Sequence, residues 1–446
     1  MSIELTIEKL VYGGDGLVHL PADEKGRGKA VFVPFVLPGE RVEVELASQR
    51  AGFSRAELRS VMTPGPHRVA PHCEHFGRCG GCQYQHANHA AQLSAKSEIL
   101  RETLQRTAKL TLDVPLEIRS AEPWHYRNRT RMKVHARNGF ALGYFRGGSH
   151  ELEPVRECPI SSPLINRAIV AMWAAGESGL VPESLGEVQF FAFDKGGGCE
   201  DDPGESQMLI EIYLREGTDP MKFEPLSIAL SEAIPELVGV AVFFGASIDL
   251  EAGKPGKRPV AAGAFGEASI TYCTAAADFQ VSAGSFFQTN RYLVDGMQEL
   301  VTKGCKGAAA LDLYAGVGLF SVALAKKFDH VTAVEVSPYS FADLEHNAPT
   351  NLTPVLKSTE DYLRQAKRSE FDFAVVDPPR AGLNAEIARA LGRLEVPALT
   401  YVSCDPATLS RDLALLIKSG FRVERAHLID LFPQTFHIES IFHLVR

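Results

Sequence analysis

Ala308-Ala309-Ala310-Leu311-Asp312-Leu313, followed by Tyr314-Ala315-Gly316-Val317-Gly318-Leu319, is a buried-strand pattern that runs straight into a glycine turn opening a helix. A second strand pattern, Val331-Thr332-Ala333-Val334-Glu335, follows and ends in an acid. In this arrangement the glycines let a ligand approach the backbone, and the acid accepts hydrogen bonds from ribose hydroxyls. The third glycine of the dinucleotide fingerprint is missing, since Ser321 stands there. That favours S-adenosylmethionine, which has no pyrophosphate to cradle, over a nicotinamide cofactor. Strand and helix patterns alternate from here to the C-terminus, which is the signature of an α/β fold with a doubly wound, Rossmann-like parallel sheet.

Working outward, Phe371-Asp372-Phe373-Ala374-Val375-Val376-Asp377-Pro378-Pro379-Arg380 is another buried strand, ending in Asp-Pro-Pro. Pro397 to Val402 is a further apolar run that stops at Ser403-Cys404-Asp405-Pro406. Cys404 is thus placed at a strand end beside a helix N-terminus, where backbone N–H groups and the helix dipole favour a thiolate. Asp405 can cap that helix and Pro406 suits its first turn. Taken alone, Cys404 reads as a packing residue. The last stretch is Phe432-Pro433-Gln434-Thr435-Phe436-His437-Ile438-Glu439-Ser440, and all these polar ends fall on the sheet edge where open α/β folds bind ligands.

The chain of 446 residues is long enough for two or three domains. Its N-terminus is charged throughout and lacks the apolar core of a signal peptide, and no apolar run is long enough to span a bilayer. The expectation is a cytoplasmic, monomeric protein with no membrane partner. A net charge of -9 argues against coating nucleic acid by bulk charge but leaves room for a local basic groove. Eight cysteines without a secretory signal do not form a disulfide framework.

Residues 1–62 alternate apolar and polar positions between glycine turns, as in Val42-Glu43-Val44-Glu45-Leu46, and suggest a five-stranded OB-type barrel. Cys73, Cys79 and Cys82 follow, with Gly80-Gly81 allowing the backbone to fold tightly around a centre. Cys158, followed by Pro159, is the best fourth ligand, since Cys-Pro is a common last-ligand context for iron-sulfur clusters. Zinc could use the same four thiolates. Residues 124–146 then hold six Lys or Arg and no acid. Arg127, Arg129, Arg131 and Lys133 alternate, so a strand points all four to one face. With Trp124, Tyr126, Tyr144 and Phe145 nearby, this reads as a phosphate-gripping RNA face; the alternative is a solvated edge strand. Residues 160–285 read as a mixed α/β continuation. Cys199, Cys273 and Cys305 lack ligand-like spacing and are taken as structural, and the acidic loop Cys199-Glu200-Asp201-Asp202-Pro203 as solvated.

Assembled, these motifs resemble the RNA 5-methyluridine methyltransferase family, closest to its iron-sulfur members that carry an N-terminal TRAM domain and act on 23S ribosomal RNA. The resemblance rests on the Gly13-Gly14-Asp15-Gly16 turn and Val33-Pro34-Phe35-Val36-Leu37-Pro38-Gly39-Glu40, the four cysteines, Ser285-Phe286-Phe287-Gln288-Thr289-Asn290, Leu311 to Gly318, Asp377 to Arg380, Ser403 to Pro406, and the stretch ending in Glu439. It implies a TRAM domain over 1–62, a central domain with a 4Fe-4S cluster and an RNA surface over 63–285, and a class I methyltransferase domain over 286–446. It also implies S-adenosylmethionine contacts at Gln288, Tyr314, Glu335 and Asp377, Cys404 as nucleophile and Glu439 as proton acceptor. The implied partner is RNA, 23S rRNA ahead of tRNA. Asp405 stands where Asn is usual, Gln434 where His is frequent, Leu319 where some relatives are polar, and no acid lies at the adenine-edge position near Ser358. Two other readings remain: a non-catalytic RNA-binding factor, and an exocyclic amino methyltransferase that leaves Cys404 without a role.

Overall fold

Successive segments build three large sheets. The computed structural model describes residues 2–21, 28–50, 52–194, 205–215, 217–245, 248–249, 254–255 and 259–446; Cys199 and the acidic loop around it lie outside these. The first sheet holds β1 (Ser2–Thr6), β2 (Lys9–Leu10), β3 (Gly16–His19), β4 (Ala30–Val33), β5 (Arg41–Gln49) and β6 (Phe53–Thr63). Their order is β1-β5-β6-β4-β3-β2. The period-two pattern does its work here: Val31, Val33, Val42 and Val44 are buried in a small core with Ile7, Val18 and Val36. The two edge strands, β1 and β2, are successive pieces of one segment, so the sheet curls around that core. Six strands stand where the sequence suggested five.

Helix α1 (His89–Thr103) follows, capped by Asn88, whose side chain accepts from the Ala91 N–H. Next comes β7 (Leu116–Arg119). The central sheet contains β8 (Arg129–His135), β9 (Ala141–Phe145), β10 (Leu152–Pro154), β11 (Leu185–Phe193), β12 (Gln207–Leu214) and β13 (Leu237–Phe244). A short pair, β14 (Ile248–Asp249) and β15 (Lys254–Pro255), precedes its last strand, β16 (Val260–Gly266). One face packs on α2 (Pro163–Glu177) and α3 (Glu224–Ala233) through Leu164, Met172, Phe190 and Ile212. The other face shares a core with the hairpin β17 (Ser269–Cys273) and β18 (Asp278–Ser282) and with the C-terminal sheet.

The expected phosphate-gripping face is narrowed here: Arg127 precedes β8, and of the four cations Arg129, Arg131 and Lys133 share one face of that strand, where two acids from the neighbouring strands pair with them. Arg129 lies 3.3 Å from Glu211 of β12 and Arg131 3.4 Å from Glu187 of β11, which also pairs with Lys133. The guanidinium groups stack at 4.1 Å on Phe191 and 3.7 Å on Tyr213. The local run without acids is real, yet lateral strand pairing brings the counter-charges from residues more than fifty positions away.

The C-terminal sheet has the order β21-β20-β19-β22-β23-β25-β24-β7. Its strands are β19 (Gly307–Leu313), β20 (Phe328–Glu335), β21 (Leu352–Leu356), β22 (Phe373–Val376), β23 (Ala398–Ser403), β24 (Arg422–Ile429) and β25 (Glu439–Val445), with β7 added at one end. The first five are parallel and β25 is antiparallel to β23 and β24. Helices α4 (Val294–Val301), α5 (Leu319–Ala325), α6 (Pro338–Asn347), α7 (Thr359–Leu363), α8 (Ala385–Leu394) and α9 (Pro406–Lys418) cover the faces. Helix α1 and Tyr84 complete one of these faces, packing with Leu313, Val376 and Leu413. Among the described residues no helix is long and apolar enough to cross a membrane.

Candidate functional site

The carboxyl ends of the parallel strands and the start of β25 lie on one edge. The β23–β25 register pairs Ser403 with Ser440, so Cys404 comes opposite Glu439. Asp377 follows the last residue of β22, and its N–H reaches the Leu313 carbonyl at 3.4 Å. Cys404 is half-buried and its thiol is pushed up to about 12, first by burial, then by Glu439 and Asp377, with Arg380 opposing. The expectation that the helix N-terminus would favour a thiolate is therefore corrected: loss of water and two carboxyls outweigh it. The N-terminus of α9 is occupied by Asp405, whose Oδ1 accepts from the N–H groups of Ala407 and Thr408 at 2.9 and 2.8 Å. Glu439 is held well above the usual carboxylate range by burial and then by Asp377. Burial raises Asp377 to about 7.

Two of the sequence-predicted cofactor residues, Tyr314 and Glu335, lie along the same edge, at the ends of β19 and β20. Glu335 ends β20, and its Oε1 accepts from the N–H groups of Val336 and Ser337 while Oε2 accepts from Gly316 at 2.9 Å. One lone pair on Oε2 remains for a ligand. Tyr314 takes a left-handed conformation, φ +65°, at the turn into Gly316 and Gly318, and burial raises its phenol to about 12. Gln288 is nearly buried, its carbonyl held by Asn128 at 3.1 Å. Ser358 caps α7 and bonds Asp361 at 2.8 Å.

Three residues of the site carried no role in the sequence reading. Asp312 is fully buried; Ser321 donates to its Oδ2, and its Oδ1 has no partner among the described residues. Burial first, then Asp377 and Glu335, lift it to about 7. Arg380 is exposed and is the cation that opposes the raised Cys404 and Glu439. Tyr12, from the turn after β2, is raised by burial and then by the nearby Asp405, and sets its ring edge-on to Phe436 with centroids 5.4 Å apart. A tyrosine beside a glycine turn gives no signal of that contact. The edge thus gathers carboxyls around one thiol, with an orphaned Asp312 oxygen suited to a cationic ligand.

The four other predicted thiols also converge. Cys73, Cys79, Cys82 and Cys158 line one cavity of about 150 Å³, together with Gln85, Arg127 and Arg131. Burial raises Cys73, lifts Cys79 to about 11 and raises Cys82 further. The Arg127 Nε is shut off from solvent without a partner, and none of the described residues forms an ion pair with Arg127. Among the described residues no three or more His, Cys, Asp or Glu are grouped to hold a single metal ion.

Residues 273–446 match the family model described as tRNA (Uracil-5-)-methyltransferase. An uncharacterized RNA methyltransferase of Aquifex aeolicus is 32% identical, over 98% of this chain and 97% of the relative. A 23S rRNA (uracil(1939)-C(5))-methyltransferase of Chromohalobacter salexigens is also 32% identical, over 99% and 89%. The crystal structure of Pyrococcus abyssi tRNA (uracil-54, C5)-methyltransferase with S-adenosyl-L-homocysteine has the same fold, with a TM-score of 0.74, 23% identity, and coverage of 99% of this chain and 100% of that one. The chain belongs to the S-adenosylmethionine-dependent RNA uracil-C5 methyltransferases.

Proposed function

We propose that this enzyme methylates carbon 5 of a uridine in 23S ribosomal RNA through a covalent adduct between Cys404 and carbon 6. The observation that carries the reading is the convergence of Cys404, Glu439 and Asp377 on one sheet edge, close enough that both carboxyls raise the thiol. Carbon 5 of uracil is too weak a nucleophile to take a methyl group unaided. The Cys404 thiolate bonds to carbon 6, and the electron pair of the 5,6 double bond moves onto the carbonyl at carbon 4 as an enolate. S-adenosylmethionine supplies an electrophilic methyl on a sulfonium. Glu439, once ionised, takes the hydrogen left on carbon 5, the double bond re-forms, and the thiolate departs.

Gln288, Tyr314, Glu335 and Asp377 would hold the cofactor. The free lone pair on Glu335 suits a ribose hydroxyl, and the cluster of acids with its unpartnered Asp312 oxygen suits a cationic ligand. The 23S assignment follows the Chromohalobacter relative at 32% identity, with tRNA the alternative.

The four cysteines would hold a 4Fe-4S cluster. A cavity of about 150 Å³ is several times what one water needs, and four thiolates on an iron-sulfur core are anionic, which suits the unpaired Arg127 beside them. With every thiol used as a ligand, the cluster's part is structural. The curled sheet over 1–62 is read as a TRAM module that grips RNA, 63–285 as the cluster-bearing central part and 286–446 as the methyltransferase domain.

The test is release of tritium from 5-tritiated uridine in RNA, dependent on S-adenosylmethionine. Wild-type enzyme should release it from 23S rRNA, and Cys404→Ala should fall to the assay floor. Release that survives in Cys404→Ala would refute the covalent route, and release from tRNA alone would move the substrate.

A further inference from the structure

The connection between β24 and β25, residues 430–438, leads directly into Glu439 and is gripped from outside its own sheet. On α1, Lys96 donates to Asp430 Oδ1 at 2.6 Å and to the Phe432 carbonyl at 2.9 Å, while His89 meets Asp430 Oδ2 at 2.8 Å. The side chains of Lys96 and Asp430 are fully buried. Asn290 donates to the Leu431 carbonyl at 3.0 Å and Tyr126 to the Pro433 carbonyl at 3.1 Å. Gln434 is the most constrained member. It holds a left-handed φ of +68°, which a non-glycine residue rarely adopts, and it is buried.

Gln92 of α1 reads that residue with both ends of its amide. Its Oε1 accepts from the Gln434 N–H at 2.9 Å, and its Nε2 donates to the Gln434 Oε1 at 2.9 Å. The Gln434 carbonyl accepts from the N–H groups of Gln83 and Tyr84, which directly follow Cys82, at 3.0 and 2.9 Å. Past this point the connection places Phe436 against Tyr12, and His437 at 3.5 Å from Arg380. A nine-residue hairpin connection left to itself would sample many conformations.

We infer that Gln92, with Lys96 beside it on α1, is a positioning residue for the carboxyl that removes the carbon 5 proton: it holds Gln434 in its left-handed conformation and thereby fixes the approach to Glu439. The same hold ties this connection to the thiol-lined cavity through Gln83 and Tyr84. The inference rests on the assignment of Glu439 as the base. It predicts that loosening the connection damages proton removal and leaves thiol addition alone.

The experiment separates those steps with RNA carrying 5-fluorouridine at the target, because fluorine cannot leave carbon 5 as a cation and the Cys404 adduct stalls there. Gln92→Met keeps the side chain's shape and removes both bonds to Gln434, together with the Nε2 donations to the Ala87 and Tyr84 carbonyls at 2.9 and 3.3 Å. Its kcat on uridine RNA should drop roughly ten- to a hundred-fold, with KM and the yield of fluorouridine adduct within about twofold of wild type. Unchanged turnover would overturn the inference, and so would equal losses of turnover and adduct, which mark a general structural defect. If Gln92→Met does not fold, Tyr126→Phe, which removes only the bond to Pro433, should show the same split at roughly threefold, and no split would count against it. If wild-type enzyme forms no fluorouridine adduct, the covalent reading itself fails, and the inference falls with it.

Discussion

Cys404 and the cysteines around the second cavity are the same residue type under the same pressure. Burial raises Cys404 to about 12 and Cys79 to about 11. What differs is the company. Around Cys404 the next largest influences are the Glu439 and Asp377 carboxyls, opposed by one exposed arginine. At the four-thiol cavity, Arg127 is partly buried with no ion pair among the described residues, although Glu157 also lines the cavity. A thiol among carboxyls can exchange its proton and release what it binds. Thiols beside a cation suit permanent deprotonation by a metal centre. Burial alone does not assign a cysteine its chemistry; the sign of its neighbours does.

The sharpest way to break that contrast is to remove the partner that makes Cys404 reversible. In Glu439→Gln, turnover should fall roughly a hundred- to ten-thousand-fold while the iron content stays at the wild-type level. RNA linked to Cys404 should then accumulate on denaturing gels. A variant that neither slows nor traps RNA would remove Glu439 from the mechanism.

Next in size is Arg127→Met. With an anionic cluster in the cavity, losing this partly buried cation should let a chelator strip iron roughly tenfold faster, read from the decay of visible absorbance. If the cavity holds only neutral thiols, the same change removes a partly buried charge that has no ion pair among the described residues and should raise the melting temperature instead. The two signs cannot both occur.

The pH profile is a third handle. Cys404 and Glu439 are both raised, and in the proposed cycle both must lose a proton, so kcat/KM should climb as pH rises from 6 to about 9. Arg380 opposes both shifts. Arg380→Gln should therefore move the climbing limb to higher pH by about one unit. A limb that stays in place would mean that solvent screens the exposed guanidinium.

How much of this could be read from the chain alone follows from the range of the forces involved. The strand–turn–helix at Leu311 to Leu319, the Asp377 and Cys404 strand ends and the four thiols are local patterns, and all fall where the motif spacing puts them. The ion pairing of the basic face is not legible in the sequence, because Glu187 and Glu211 reach Arg129, Arg131 and Lys133 by strand pairing that no window of sequence contains. The Lys96–Asp430 pair joins residues 334 positions apart, and β7 enters the C-terminal sheet only through its parallel ladder with β24. The raised Cys404 was hidden for another reason: a helix N-terminus is visible in sequence, whereas the burial that overrides it is not.

The smallest effect is expected at Asp405, and it sharpens the comparison because a carboxylate next to a nucleophilic thiol should matter most. Its charge is already engaged: Oδ1 accepts from two N–H groups of α9, and the Tyr12 phenol lies close enough for Asp405 to raise it. The carboxyls that raise Cys404 are Glu439 and Asp377, which face it across the sheet edge. Asn caps a helix about as well as Asp, so Asp405→Asn should change stability by less than about 0.5 kcal/mol. Alkylation of Cys404 followed against pH should give the same midpoint in both proteins. A midpoint that falls by a full unit in Asp405→Asn would mean that the helix dipole and its cap do not absorb the charge, and that proximity in sequence outweighs the facing carboxyls.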